Sequence, residues 1–193
     1  MPVCPSGRSR GQTLGETILK RLLLAAALSL AAALPAAAQT VIIVRHAEKA
    51  DPAAGLDADP VLSEAGQARA RALAVELADA HPSVILTSPL QRTRLTAAPT
   101  AGHHSVTPEA IALNGGVQAH LAAIVARVEA TPDDATILIV GHSNTVPLIA
   151  RALGYAEAAD MPECEYDRLT TLHLMGEGRA HGEVTRYGEP TTC

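Results

Sequence analysis

Apolar positions in this chain come in uninterrupted blocks as well as in spaced stripes. Val41 to Val44, Val84 to Leu86 and Ile137 to Val140 are unbroken runs of Val, Ile and Leu, the pattern of strands buried on both faces of a parallel sheet. After Leu62-Ser63 the apolar residues Ala70, Leu73, Leu77 and Ala80 fall three and four apart, which predicts a helix capped by Ser63. Its polar side, with Arg69, Arg71, Glu76 and Asp79, reads as solvated surface. Ser88 to Gln91 matches an S-x-x-Q capping box with Pro89 at the first helical position, so a second helix is expected to carry Arg92 in its first turn. Ser105-Val106-Thr107 reads as a short edge strand. Gly115-Gly116 breaks the chain before a helix holding Val117, Leu121, Ile124, Val125 and Val128, closed by Thr131-Pro132, and a later helix has Pro147 near its start. Leu169 to Leu174 and His181 to Arg186 predict a hairpin around Gly176 and Gly178. Strands alternating with helices define an α/β class: a three-layer α/β/α sandwich with a largely parallel central sheet and a C-terminal hairpin.

The first 38 residues stand apart from this pattern. Arg8, Arg10, Lys20 and Arg21 precede the apolar run Leu22 to Leu34, and Pro35-Ala36-Ala37-Ala38-Gln39 supplies small residues at an A-x-A site. That order is a secretory signal, giving a domain from 39 to 193, exported to a periplasm or medium. A membrane anchor is the alternative, but the run is short of the ~20 residues a spanning helix needs. Removing 1–38 takes away four of 15 Lys and Arg and one of 20 Asp and Glu, so the net charge goes from −5 to −8. An acidic domain without a basic stripe is a poor partner for nucleic acid or an anionic membrane. Oligomeric state is not legible.

With no Trp or Phe and only three Tyr, the core must be aliphatic. Cys4 leaves with the signal, while Cys164 and Cys193 stay. An antiparallel hairpin would bring these two to one end of the sheet, and in an oxidising compartment they are expected to pair, leaving the His46 pocket untouched. The alternative is a buried Cys164 and a disordered Cys193.

The chemistry lies where structure stops. Arg45-His46 ends the first strand run, Ser88-Pro89-Leu90-Gln91-Arg92-Thr93 follows the second, and Gly141-His142-Ser143-Asn144-Thr145 follows the third. Open α/β sheets bind ligands at the carboxyl ends of their strands. Two arginines offer rigid donor forks suited to a phosphate dianion. His46 is the candidate nucleophile, His142 a second imidazole for the phosphate oxygens, and Asn144 a further candidate phosphate contact. The helix start near Thr145 is expected to add its dipole.

Arg45-His46-Ala47, Ser88-Pro89-Leu90-x-Arg92-Thr93 and Gly141-His142-Ser143, in that order, resemble the motifs of the histidine phosphatase superfamily, the phosphoglycerate-mutase-like fold. The short exported or SixA-like members are the nearer match. The resemblance covers Val41 to about Leu174. It implies that His46 is phosphorylated and then hydrolysed, with Arg45, Arg92 and His142 forming the phosphate pocket, without metal or other cofactor, on a small phosphorylated substrate. The departure is the proton donor. Between the second and third motifs only Glu109 precedes the Gly115-Gly116 break, and it equally suits a surface charge; Glu48 lies nearer the nucleophile but can pair with Lys49 or Arg45.

His81, His120, His173 and His181 are expected to be structural, and His103-His104 to belong to a loop at a helix end. Three other readings stay open: an exported protein that binds or senses a phosphate-bearing ligand without turnover, a mutase-type phosphoryl transferase, and a metal-dependent phosphohydrolase, although the last lacks an Asp/His ligand set. Specificity would lie in the loop Ala50 to Pro60 and the segment Ala101 to Gly116, neither of which selects a substrate.

Overall fold

The computed structural model describes Met1, residues 38–51 and residues 59–193. The expected signal, apart from Met1 and Ala38, and the centre of the 50–60 loop lie outside the described residues. No helix of the described residues is long and apolar enough to cross a membrane.

The elements run β1 (Thr40–Arg45), α1 (Glu64–Glu76), β2 (Val84–Thr87), α2 (Gln91–His104), β3 (Glu109–Ala110), α3 (Gly116–Glu129), β4 (Thr136–Gly141), α4 (Val146–Ala152), β5 (Arg168–Leu174) and β6 (Ala180–Arg186). They build one six-stranded sheet in the order β3-β2-β4-β1-β5-β6. The first four strands in that order are parallel, and β5 joins β1 antiparallel with β6 beyond it. The expected α/β class, parallel centre and terminal hairpin are all present.

Strand side chains alternate between two cores, as the pleat requires. Val41, Ile43, Ile137 and Ile139 pack with Ile124 and Val128 of α3 and Ile149 of α4. Ile42, Val44, Leu138 and Val140 pack on the other face with Leu73 of α1 and Ala97 and Ala101 of α2. Both faces being covered is why these strands read as unbroken apolar runs.

The Ser63 cap forms, its Oγ accepting from Gly66 N at 3.0 Å, and the Gly115-Gly116 break holds, both glycines taking positive φ at the start of α3. Four expectations need correction. Ser88 is not a helix cap: α2 begins at Gln91 after Leu90, because Ser88 Oγ is engaged by Thr93 and His142. The Gln91 N–H is instead capped by the Asp59 carboxylate at 2.7 Å. The edge strand is Glu109–Ala110, not 105–107, because α2 runs on through His103 and His104 and ends with Ser105 in the left-handed region, where Val106 N donates back to Ala101 O. Arg69 is not solvated surface but 5% exposed. Its guanidinium donates to Glu48, to Tyr187 O and to Glu189 O, so Glu48 is held by Arg69.

Candidate active site

Three adjacent parallel strands, β2, β4 and β1, end side by side. Arg45 is in register with Gly141, and the ladder extends one step further, with His46 N donating to Gly141 O at 2.9 Å. His46 and His142 are therefore the next residues out on neighbouring strands, and their rings meet edge to face with centroids 5.3 Å apart. Thr87 lies opposite Val140, so Ser88 and the α2 start bring Arg92 in from the third strand. Arg45, His46, Arg92 and His142 are all buried.

The backbone sets the tautomer of His46. His46 Nδ1 lies 2.8 Å from Ala47 O; a carbonyl only accepts, so Nδ1 carries the proton and the Nε2 lone pair is free. Ala47 is itself fixed by its N–H donating to Thr96 Oγ1 at 2.9 Å. His142 Nε2 lies 3.0 Å from Ser88 Oγ. The Thr93 hydroxyl donates to the Leu90 and Ser88 carbonyls and stands 2.9 Å from Ser88 Oγ. Ser88 therefore gives its proton to Thr93 and accepts from His142 Nε2–H. Burial, followed by the neighbouring arginine charges, pushes His46 down to about 3; for His142 burial and then the facing His46 do the same, also to about 3. Both imidazoles are neutral at neutral pH.

The arginines are held with donors to spare. Arg45 Nη1 donates to the carbonyls of Pro162, Glu163 and Glu165, and Nη2 to the Glu163 carboxylate at 2.8 Å. Its guanidinium lies over the Tyr166 ring, 4.1 Å from the centroid. Among the described residues, Arg45 Nε and Arg92 Nε and Nη1 are buried with no hydrogen-bond partner, and Asp59 stands 3.7 Å from Arg92 Nη1. Unpaired buried guanidinium donors are costly in a fold without a ligand and are what an anion site requires.

The remaining candidates divide. Asn144 is exposed, bordering a side cleft of about 210 Å³ with Ser143 and Glu163. Glu109 is not brought to the site: it sits on the outermost strand, paired with Arg127 at 2.8 Å. The start of α4 is not an open set of donors either, since Thr145 N and Val146 N both donate to His142 O; it anchors His142. Sequence reasoning missed Ser88, Glu163 and Tyr166. Glu163 accepts from Ser143 Oγ at 2.5 Å as well as from Arg45, and these two donors hold its carboxyl below the ordinary range. No local motif marks it; the only signal was its proximity to Cys164, whose Sγ is bonded to that of Cys193 with Cα atoms 5.3 Å apart. The bond does not stand clear of the His46 pocket, because the carbonyls on both sides of Cys164 grip Arg45.

Two imidazoles and two guanidinium groups converge beyond the parallel sheet in a pocket suited to an anion. Residues 41–113 match the model of the histidine phosphatase superfamily (branch 1). Solved structures share its fold. The mycobacterial glucosyl-3-phosphoglycerate phosphatase in complex with inorganic phosphate is 18% identical, over 77% of this chain and 96% of that one, with a TM-score of 0.58. The protein histidine phosphatase SixA complexed with tungstate is 18% identical, over 76% and 96%, at 0.59. A Nakamurella multipartitia protein provisionally assigned as a phosphohistidine phosphatase SixA is 26% identical, over 81% and 99%, at 0.53. No curated protein matches the sequence.

Proposed function

We propose that this protein is a metal-independent phosphomonoester hydrolase that works through a phosphohistidine on His46. The observation that carries the reading is the free Nε2 lone pair of a neutral, buried His46 facing a site with unpaired Arg45 and Arg92 donors. The arginines hold the non-bridging phosphate oxygens while His46 attacks phosphorus in line with the leaving oxygen. Water then hydrolyses the phosphohistidine. A dianion against His142 favours its protonated form, which gains an Nδ1–H to donate to phosphate while Nε2–H stays on Ser88.

Charge neutralisation by guanidinium groups takes the place that a metal holds in other phosphohydrolases. The substrate is a small phosphorylated molecule, a class to which the substrate named for the similar glucosyl-3-phosphoglycerate phosphatase belongs. Export belongs to the same reading, supported by the signal pattern and by a disulfide suited to an oxidising compartment. Intact-mass analysis should find a mature start at Gln39; residues 1–38 retained in a membrane fraction would contradict it.

Turnover of a chromogenic phosphomonoester, with and without a chelator, tests the proposal. Hydrolysis insensitive to chelator is expected. Loss of activity with chelator favours a metal enzyme, and phosphate binding without turnover favours a carrier.

A further inference from the structure

Cys164 lies inside the short segment that grips a phosphate-pocket arginine. Every acceptor that Arg45 finds among the described residues belongs to residues 162–165: three carbonyls at 2.7 to 3.3 Å and the Glu163 carboxylate. The segment is neither helix nor strand. Its placement depends instead on cross-links to residues elsewhere in the chain, namely Glu163 to Ser143, Glu165 to Arg186 and Cys164 to Cys193, with Arg168 holding Glu165 locally. Only the last is covalent.

We infer that the Cys164–Cys193 bond positions Arg45 for phosphate binding, so that the affinity of the pocket depends on the oxidation state of this pair. The inference rests on the reading of the same pocket as a phosphate site. When a dithiol reductant delivers two electrons and two protons, the S–S bond breaks, both cysteines become thiols and the dithiol closes to its cyclic disulfide. The carbonyls of Glu163 and Glu165 then lose their common anchor, and the guanidinium they align loses the angles that charge-assisted hydrogen bonds demand. The chain terminus is not freed altogether, because Thr191 still donates to Asp167 through its N–H and hydroxyl. The result is a looser pocket rather than a lost one.

The test uses the oxidised full-length protein, the same protein reduced with dithiothreitol, and the double variant Cys164→Ser, Cys193→Ser. Calorimetric Kd for inorganic phosphate and the kcat and KM of a chromogenic phosphomonoester are measured well below the melting temperature, with circular dichroism as the check on folding. Kd and KM should rise roughly five- to tenfold on reduction, the loss of part of a charge-assisted contact, with a smaller change in kcat and recovery on reoxidation. Glu163→Ala should shift Kd the same way with the disulfide intact, since its side chain is 82% exposed and contributes little packing. Equal Kd in folded oxidised and reduced protein would overturn the positioning role and leave the phosphatase reading standing. Unfolding on reduction would also overturn it, making the bond a staple of the fold. If the oxidised protein binds no phosphate and turns nothing over, the phosphatase reading itself falls and the inference with it; binding without turnover leaves Kd to decide the inference alone.

Discussion

His46 and His142 occupy equivalent positions on neighbouring parallel strands, one step beyond the Arg45 and Gly141 register pair, and their rings stand 5.3 Å apart. The contact joins two neutral groups, each pushed by burial from 6.5 to about 3.

Titration of the ligand-free protein followed by imidazole NMR should therefore show both rings uncharged down to about pH 4, with His46 as the Nδ1–H tautomer. The unfolded histidines bind protons below 6.5 while the folded ones do not, so stability from this source is present above pH 6.5 and is lost as pH falls toward 3. Either ring titrating near 6.5 would contradict the site's burial.

Arg92→Lys should be damaging although the charge is kept. A planar fork with two unpaired buried donors becomes a single point charge. The expected loss in kcat/KM is at least about tenfold, or ~1.4 kcal/mol of transition-state stabilisation. Near wild-type kcat/KM would place Arg92 outside the pocket.

Arg69→Ala should destabilise the fold by about 3 kcal/mol, because it leaves a carboxylate and two carbonyls without their donor. Those groups are Glu48, Tyr187 O and Glu189 O. Chemical denaturation measures the change, and a shift under ~0.5 kcal/mol, the range of ordinary surface substitutions, would return Arg69 to the solvated surface.

The parts of this fold that were legible in sequence are those whose signal is local. The runs at 41–44, 84–86 and 137–140 announce double-sided burial, and the Arg45-His46, Arg92 and His142 groups sit where such runs end. What escaped depends on residues far apart in the chain. Arg69 looks solvated on its helix because the carbonyls it serves are 118 and 120 residues away. Glu163 holds Arg45 across 118 residues. The S-x-x-Q pattern misled because the Ser88 hydroxyl meets His142, 54 residues on, and Thr93 rather than capping the first turn of the helix.

Glu109, the carboxylate between the second and third motifs, is paired with Arg127 on the outermost strand. Glu109→Gln should leave kcat/KM within about twofold of wild type, since an exposed ion pair contributes little. A loss of tenfold or more, on the scale of acid catalysis, would restore it to the mechanism.

The most direct test is to trap the intermediate. The enzyme is mixed with a phosphomonoester, quenched in base during turnover, digested, and the peptide bearing His46 is read by mass spectrometry. The account predicts one phosphoryl group on His46, stable in base and lost in acid, and neither adduct nor turnover in a folded His46→Ala variant. Turnover beyond a trace in that variant, or a wild-type enzyme that never carries phosphate on His46 while it works, would contradict it.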